Sequence, residues 1–458
     1  MMTRARQVVS PLILIATIVG CGPPPAISAP RDRGLPVNVT PGNANEFYRQ
    51  MGLLAAPPPI SFVGKMTFFA TKSPDTTLML TSVSLPNRAL TFAREGDRYT
   101  APYEVHLRLT RGDAEVGTVN ALEVVRVGTF KEINRSDESV IFQHAFRIPP
   151  GNYSLSLVLR DVGGARTATQ DAQVAVPRIP ATGFSTPLLI YEATPRASLD
   201  SAPRLLASPR STAVFGRDSL VSVFLEAYGS GDRLPINYVV TNDTQTPVFK
   251  DSAVLTRTGA AFSGAVQVPI SAVGLGVSKL TFSRRGSADT ASIPIFVSFG
   301  EDIPIMSFAN MIEYLRFFAP EWRLKPLRDA PPGQRASAWS AFLRETDPIP
   351  ETPINEELES YFGRIRQANV QYLNDRNPGW LSDRGMVFVA LGEPSLVSDR
   401  TVNQGATRTD LGESTRVQIW TYQQYRTQLV FYDDSGHWRL TRASENEFWA
   451  VTTRKMAR

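Results

Sequence analysis

Between residues 57 and 299 apolar and polar side chains alternate in short runs broken by turn residues. In the run from Tyr153, the side chains of Tyr153, Leu155, Leu157 and Leu159 fall on one face, with Ser154, Ser156, Val158 and Arg160 opposite. A period of two predicts a strand with one buried face. Comparable runs begin at Asp75, Tyr103, Asn120, Leu220, Ile236, Lys279 and Ile293. In the first of these Leu78 and Leu80 share a face, and Met79 is the apolar exception on the other. Turns such as Arg111-Gly112-Asp113 and Pro149-Pro150-Gly151-Asn152 punctuate them. Gly151 to Val176 and Gly276 to Val297 share a spacing of glycines and apolar pairs, which predicts the final hairpin of two related modules.

After Gly300 the period lengthens. Phe308, Met311, Ile312, Leu315 and Phe318 form a helical stripe behind Ser307 as N-cap, and Pro320 ends it. Trp339, Phe342 and Leu343 mark a second helix. Asn355 caps a third, with Glu356 and Glu357 at the positive end of its dipole and Leu358, Tyr361, Phe362, Ile365 and Ala368 on its core face. Met386–Leu391 is apolar without alternation and is expected to be a strand covered on both faces. Three more strands are expected from Arg416, Gln428 and His437, the last two joined at Ser435-Gly436. The fold class is therefore mainly β and multidomain: two immunoglobulin-like β-sandwiches without a disulfide, then an α+β domain with helices on a small antiparallel sheet.

A length of 458 residues suggests about three domains at roughly 100–200 residues each. The expected division is a leader at 1–20, a Pro-rich tether with a short helix at 21–56, β modules at 57–178 and 182–299, and the α+β domain at 300–458. Phe47, Met51 and Leu54 carry the helical spacing of the short helix, expected to pack on the first module. The net charge of +5 is spread through interspersed acids and bases, which gives nucleic-acid binding little support.

The leader changes the picture most. Arg4 and Arg6 precede thirteen mostly apolar residues, Val8 to Gly20, whereas a bilayer span needs about twenty. They end in Ile18-Val19-Gly20-Cys21, which resembles the lipobox of bacterial lipoproteins, where the Cys sulfur carries the lipid. Cys21 is the chain's only cysteine and is the expected lipid attachment site. Gly22, where an aspartate would signal retention, resembles the sorting pattern for the outer membrane. The prolines of residues 22–45 read as an extended tether reaching up to roughly 80 Å.

Pro378-Gly379-Trp380-Leu381-Ser382-Asp383-Arg384-Gly385 precedes the apolar run, and Gly392-Glu393-Pro394 follows it. These residues resemble the GWxTD domain, a family named for its motif and found in extracytoplasmic bacterial proteins. The resemblance covers about residues 300–450 and includes Arg344 to Glu357, Arg364 to Asn369, Val389 to Pro394 and Ile419 to Tyr422. Ser382 stands where the family has threonine. The family carries no established enzymatic activity. The residues themselves allow structural roles: Gly379 for a tight turn, Trp380 as an apolar anchor, Ser382 and Asp383 as acceptors for backbone N–H groups, Gly385 for a close passage. In the alternative, Trp380, Asp383 and Arg384 line a surface groove, and Gly392 and Pro394 count with the motif as candidate binding residues.

Chemistry is otherwise hard to assemble. His106, His144 and His437 fall on different expected strands, and no zinc, phosphate-loop, dinucleotide or nucleophile-elbow motif occurs. No catalytic residue, metal or cofactor is assigned. The carboxylates Asp383 and Glu393 flank one expected strand and stand too far apart for a glycosidase pair, which needs about 5–9.5 Å. Asp347, Glu351 and Glu356 sit near a Pro-rich loop within possible approach of Asp383. The expectation is a lipid-anchored, non-catalytic scaffold or partner-binding protein of the cell envelope, held at the outer membrane, its partner an envelope protein or a glycan. The alternative is a carboxylate-based hydrolase or a glycan-binding protein of the envelope. Oligomeric state stays open.

Overall fold

The computed structural model describes residues 26–27, 48–49, 51–57, 59–134, 139–215, 218–298, 308–352, 355–372, 375, 379–403 and 414–456. Cys21, the leader, the rest of the Pro-rich segment, Ser307 and Pro378 lie outside the described residues.

Period-two runs become two facing sheets in the first module. One holds β2 (Leu54–Ala56), β3 (Phe62–Ala70), β4 (Thr77–Pro86) and β8 (Ser139–Ile148), paired in that order. The other holds β1 (Ala26–Ile27), β5 (Ala93–Glu95), β6 (Arg98–Arg111), β7 (Ala114–Val127), β9 (Gly151–Asp161) and β10 (Arg166–Val176). Tyr153, Leu155, Leu157 and Leu159 join Phe62, Met66, Met79 and Val83 in the core between them. The short helix is represented by Tyr48 and Arg49, and Leu54 lies in β2 instead. Tyr48 packs with Val63 of the first module and also with Val277 and Phe296 of the second.

Met79 is no exception in β4, because both faces of that strand are buried. Met79 points into the first core, and Leu78 and Leu80 join Phe69, Leu188, Ile190 and Phe224 in a cluster between the modules. The second module also completes β3: Thr186 exchanges two hydrogen bonds with the Phe68 backbone, and the Tyr228 hydroxyl accepts from Ala70 N at 2.9 Å. Arg196 and Glu226, both fully buried, form a two-pronged ion pair at this junction, and Arg196 also donates to Ala70 O at 2.7 Å. Lys65, on the covered face of β3, donates to Pro187 O at 3.4 Å, and burial lowers its pKa to about 7.

In the second module nine strands form one continuous sheet: β11 (Leu188–Thr194), β12 (Arg204–Ala207), β13 (Thr212–Val214), β14 (Leu220–Ala227), β15 (Arg233–Asn242), β16 (Pro247–Thr258), β17 (Ala261–Pro269), β18 (Gly276–Arg284) and β19 (Thr290–Ser298). Residues from distant strands of the path, such as Val223 and Ile295, share one core, so the sheet must curve over on itself. The expected final hairpins are β9–β10 and β18–β19. The likeness goes further than the sequence indicated: the last strand of each hairpin accepts a short parallel strand, β1 on β10 and β13 on β19.

The core of the second sheet continues without a break into the helices that follow, through Phe308, Met311 and Ile312. Asp243 reinforces this seam, pairing with Arg335 at 3.1 Å and accepting from Phe308 N at 3.3 Å. The last sheet is antiparallel, in the order β20 (Leu396–Asn403), β21 (Ser414–Tyr422), β22 (Thr427–Asp434) and β23 (His437–Leu440).

Met386–Leu391 departs from expectation: it belongs to a helix, Asp383–Leu391. A strand with both faces covered and a helix buried all round leave the same unbroken apolar run, and here Val387 to Leu391 are all buried on a helix. The fourth strand of the sheet is instead Leu396–Asn403.

Candidate functional site

The motif is the device that starts this buried helix. Ahead of it, Asn355 caps the helix Glu356–Gln371 by accepting from Leu358 N at 2.9 Å, and Leu358, Tyr361, Phe362, Ile365 and Ala368 face the core. Gly379-Trp380-Leu381 forms one 3₁₀ turn against the end of that helix, where Asn369 Oδ1 accepts from Trp380 N at 3.1 Å. A Cβ on Gly379 would lie 2.4 Å from Ala368 O, so only glycine permits this approach. Ser382 then caps the motif helix: its Oγ accepts from Gly385 N at 3.0 Å and donates to Gly379 O at 2.7 Å. A Cβ on Gly385 would stand 2.0 Å from Gly379 O, so the second glycine closes the same knot from the other side.

Asp383 sits in the first helical turn, where the helix dipole favours an acid, and its Oδ2 accepts from Leu440 N at 2.7 Å. That bond ties the helix to the end of β23. Arg384 forms a fork with Asp375, at 2.7 and 2.8 Å, between the rings of Tyr372 and Trp438. Trp380 is 2% exposed, stacks on Tyr314 with centroids 4.5 Å apart and meets the edge of Phe317. The exposed Arg316 covers its ring at 4.6 Å. Burial pushes the Tyr314 hydroxyl above its ordinary range, and the neighbouring indole N–H and the Arg316 charge offset part of the rise. Neither the indole N–H nor that hydroxyl has a hydrogen bond of full geometry.

Gly392 ends the helix at φ +83°, a conformation that suits glycine, and donates to Phe388 O at 2.9 Å. The next carbonyls take side-chain donors: Arg364 on Val389 O at 2.9 Å, Lys455 on Ala390 O at 2.7 Å, Tyr422 on Gly392 O at 3.0 Å. Two cations thus meet the negative end of the dipole. Burial lowers the pKa of both, and for Lys455 the Arg364 charge adds to the effect. Pro394, half-buried, leads from this end into β20.

The candidate residues therefore come together as the two ends of one helix rather than around a groove. Asp383 and Glu393 flank a helix, and ten residues at 1.5 Å separate them by about 15 Å, still beyond a glycosidase pair. Asp347 accepts from Ile349 N within its own loop, and Glu356, at the start of the next helix, accepts from Thr352 Oγ1. His106, His144 and His437 lie on three different sheets, in β6, β8 and β23. Among the described residues no three His, Cys, Asp or Glu side chains could share a metal ion. Open cavities of about 360, 460 and 430 Å³ lie by Ser156 and Asp171, by His144 and Arg204, and by Pro326 and Gln334, and none of these three is lined by the motif.

Sequence reasoning missed Lys65 and the Arg196–Glu226 pair. A lone charge inside an apolar strand, as in Phe62–Ala70 or Leu220–Ala227, was the available signal for Lys65 and Glu226. Arg196 sits in a polar turn with no such mark.

Among the described residues, the C-terminal part is thus an α+β domain in which four helices, a four-stranded sheet and a C-terminal helix pack with one buried helix, Asp383–Leu391. Residues 288–456 match the family model of the GWxTD domain, and this part of the chain is a GWxTD domain. The match begins just before β19, ahead of the expected boundary at 300. No curated protein matches the chain. Among solved structures, the chain is similar to dimeric latent PorU from Porphyromonas gingivalis, at 12% identity over 52% of this chain and 20% of that one, with a TM-score of 0.24. It is also similar to fibronectin(III)-like modules of CbhA from Clostridium thermocellum, at 12% identity, 51% and 94% coverage and a TM-score of 0.13. The chain spans only a fifth of the first of these proteins.

Proposed function

We propose that this is a lipid-anchored protein of the cell envelope, without a catalytic centre, in which two β modules carry a GWxTD domain that binds an envelope protein or glycan. One observation carries the non-catalytic reading: the polar side chains of the motif are spent inside the fold. Ser382 caps a helix, Asp383 holds β23 and Arg384 is forked to Asp375. The anchor rests on Ile18-Val19-Gly20-Cys21 and on Cys21 being the only cysteine. A glycan partner is favoured by Trp322 and Trp449, which are 64% and 44% exposed on the surface of the GWxTD domain.

Crosslinking in intact cells, followed by pull-down, tests the binding role. A specific partner recovered through the GWxTD domain is the expected result, and recovery of none overturns it. Asp383→Ala separates structure from binding at the motif. The expected outcome is a lower melting temperature, with partner recovery falling only in step with the folded fraction. A variant that melts like the parent but loses its partner places a binding site at the motif.

A further inference from the structure

β20 leaves one side of the last sheet open. Its pairing with β21 runs unbroken from Leu396 opposite Thr421 to Asn403 opposite Ser414, and among the described residues no strand pairs with its other edge. Such an edge presents unpaired N–H and C=O groups that repeat about every 7 Å, the spacing of another peptide's backbone. Proteins blunt exposed edges by shortness, proline or a bulge. Among the described residues β1, β2, β5, β12, β13 and β23 end their sheets with only two to four residues each. β7 is longer, but its register shifts opposite Leu109 and Thr110. β8 lies against the second module through Ala145 and Arg147. β20 has eight residues, no proline and no shift in register.

The side chains of this edge are apolar at one end and charged in the middle. Leu396 and Val397 are 56% and 44% exposed on opposite faces, and Asp399 and Arg400 follow, both exposed. Asp399 is held in place from behind. Gln418 donates to its Oδ1 at 2.9 Å, and Gln418 Oε1 accepts from Trp420 Nε1 at 2.7 Å and from Arg384 of the motif at 3.4 Å. Trp420, Tyr422, Leu429 and Phe431 turn one face of the sheet to the core. On the other face Ile419 and Val430 are half-buried and Tyr432 is 37% exposed, so apolar surface continues inward from the edge.

A second copy is a poor occupant. In a two-fold antiparallel pair the central residue faces its own counterpart. The two registers with most overlap oppose Asp399 to Asp399 or Arg400 to Arg400, and like charges directly opposite are destabilising. A strand of different sequence can answer both charges. We propose that β20 receives an extended segment of a partner protein as a fifth strand of the sheet, with an acid opposite Arg400, a base opposite Asp399 and apolar residues opposite Val397 and Leu396. Laid antiparallel, that segment reads acidic, basic, any residue, apolar, apolar from its N-terminal end. The inference rests on the partner-binding reading above, takes its protein partner rather than its glycan, and does not need the lipid anchor.

A labelled peptide, Thr-Glu-Lys-Thr-Val-Ile-Thr, titrated into the full chain tests it by fluorescence anisotropy and hydrogen exchange. The expected result is saturable binding with slowed exchange of the β20 amides. Arg400→Glu should weaken binding about fivefold, as one attractive cross-strand pair becomes repulsive, and a peptide with lysine in place of its glutamate should restore it. No saturable binding, or binding that ignores this swap, overturns the strand site. A free chain that is already dimeric, with β20 amides protected, gives the edge to a second copy and overturns it too. In intact cells the double variant Leu396→Asp, Arg400→Glu should melt like the parent and lose the crosslinked partner. A partner recovered equally by both overturns the strand site and leaves the binding role standing; no partner from the parent overturns both.

Discussion

A single hydroxyl holds the motif together. Ser382 Oγ takes the Gly385 N–H and gives its own proton to Gly379 O, so it closes the turn and starts the helix at once. Ser382→Ala should cost about 0.5–2 kcal/mol, the range for losing an N-cap, read as a lower midpoint in urea unfolding. Ser382→Thr restores the family's residue and keeps the hydroxyl, so its midpoint should stay near the parent's. If alanine and threonine cost the same, the capping account is wrong. The two glycines were legible as turn residues, but the reason for them was not: each excludes a Cβ that would strike the backbone of another segment.

Among elements, the motif helix depends on partners from both sides of the sequence. Arg364 comes from the preceding helix and Lys455 from the last, Arg442–Met456, and both bind carbonyls at its end. Arg364→Met keeps most of the apolar stem but leaves Val389 O without that donor. The expected loss is about 1–3 kcal/mol in urea unfolding, the cost of an unpaired buried polar group. Strands with one buried face were readable from their alternation, and so were the terminal hairpins. The motif helix was misread as a strand because its apolar run has no polar side to reveal a period. Ser382 before it and Gly392 after it are helix start and stop signals that could have decided the matter. Leu396–Asn403 was missed for the opposite reason: an edge strand that exposes Leu396 and Val397 beside Asp399 and Arg400 shows neither alternation nor an apolar run. The ladder between β1 and β10 could not be read at all, since a two-residue strand has no period.

For the whole molecule, the decisive feature is that modules meet through buried faces. β3 and β4 are covered on both sides, and Lys65 is caught in the middle. Folding holds its pKa near 7, against 10.5 for a free lysine. Between those values the unfolded chain binds a proton that the folded chain does not, so this group makes stability rise with pH from about 7 toward 10.5. Below about 7 its contribution is flat. Lys65→Met should raise the urea midpoint at pH 7 and flatten the rise between neutral and alkaline pH; an unchanged slope refutes the assignment. The second sheet and the GWxTD domain are joined more closely still, by one continuous core and the Asp243–Arg335 pair. That seam has a mechanical meaning. When the chain is pulled through a partner on the GWxTD domain, the load at this seam falls on packed side chains of both parts at once. Under tension the second sheet and the last domain should yield together, as one rupture rather than two.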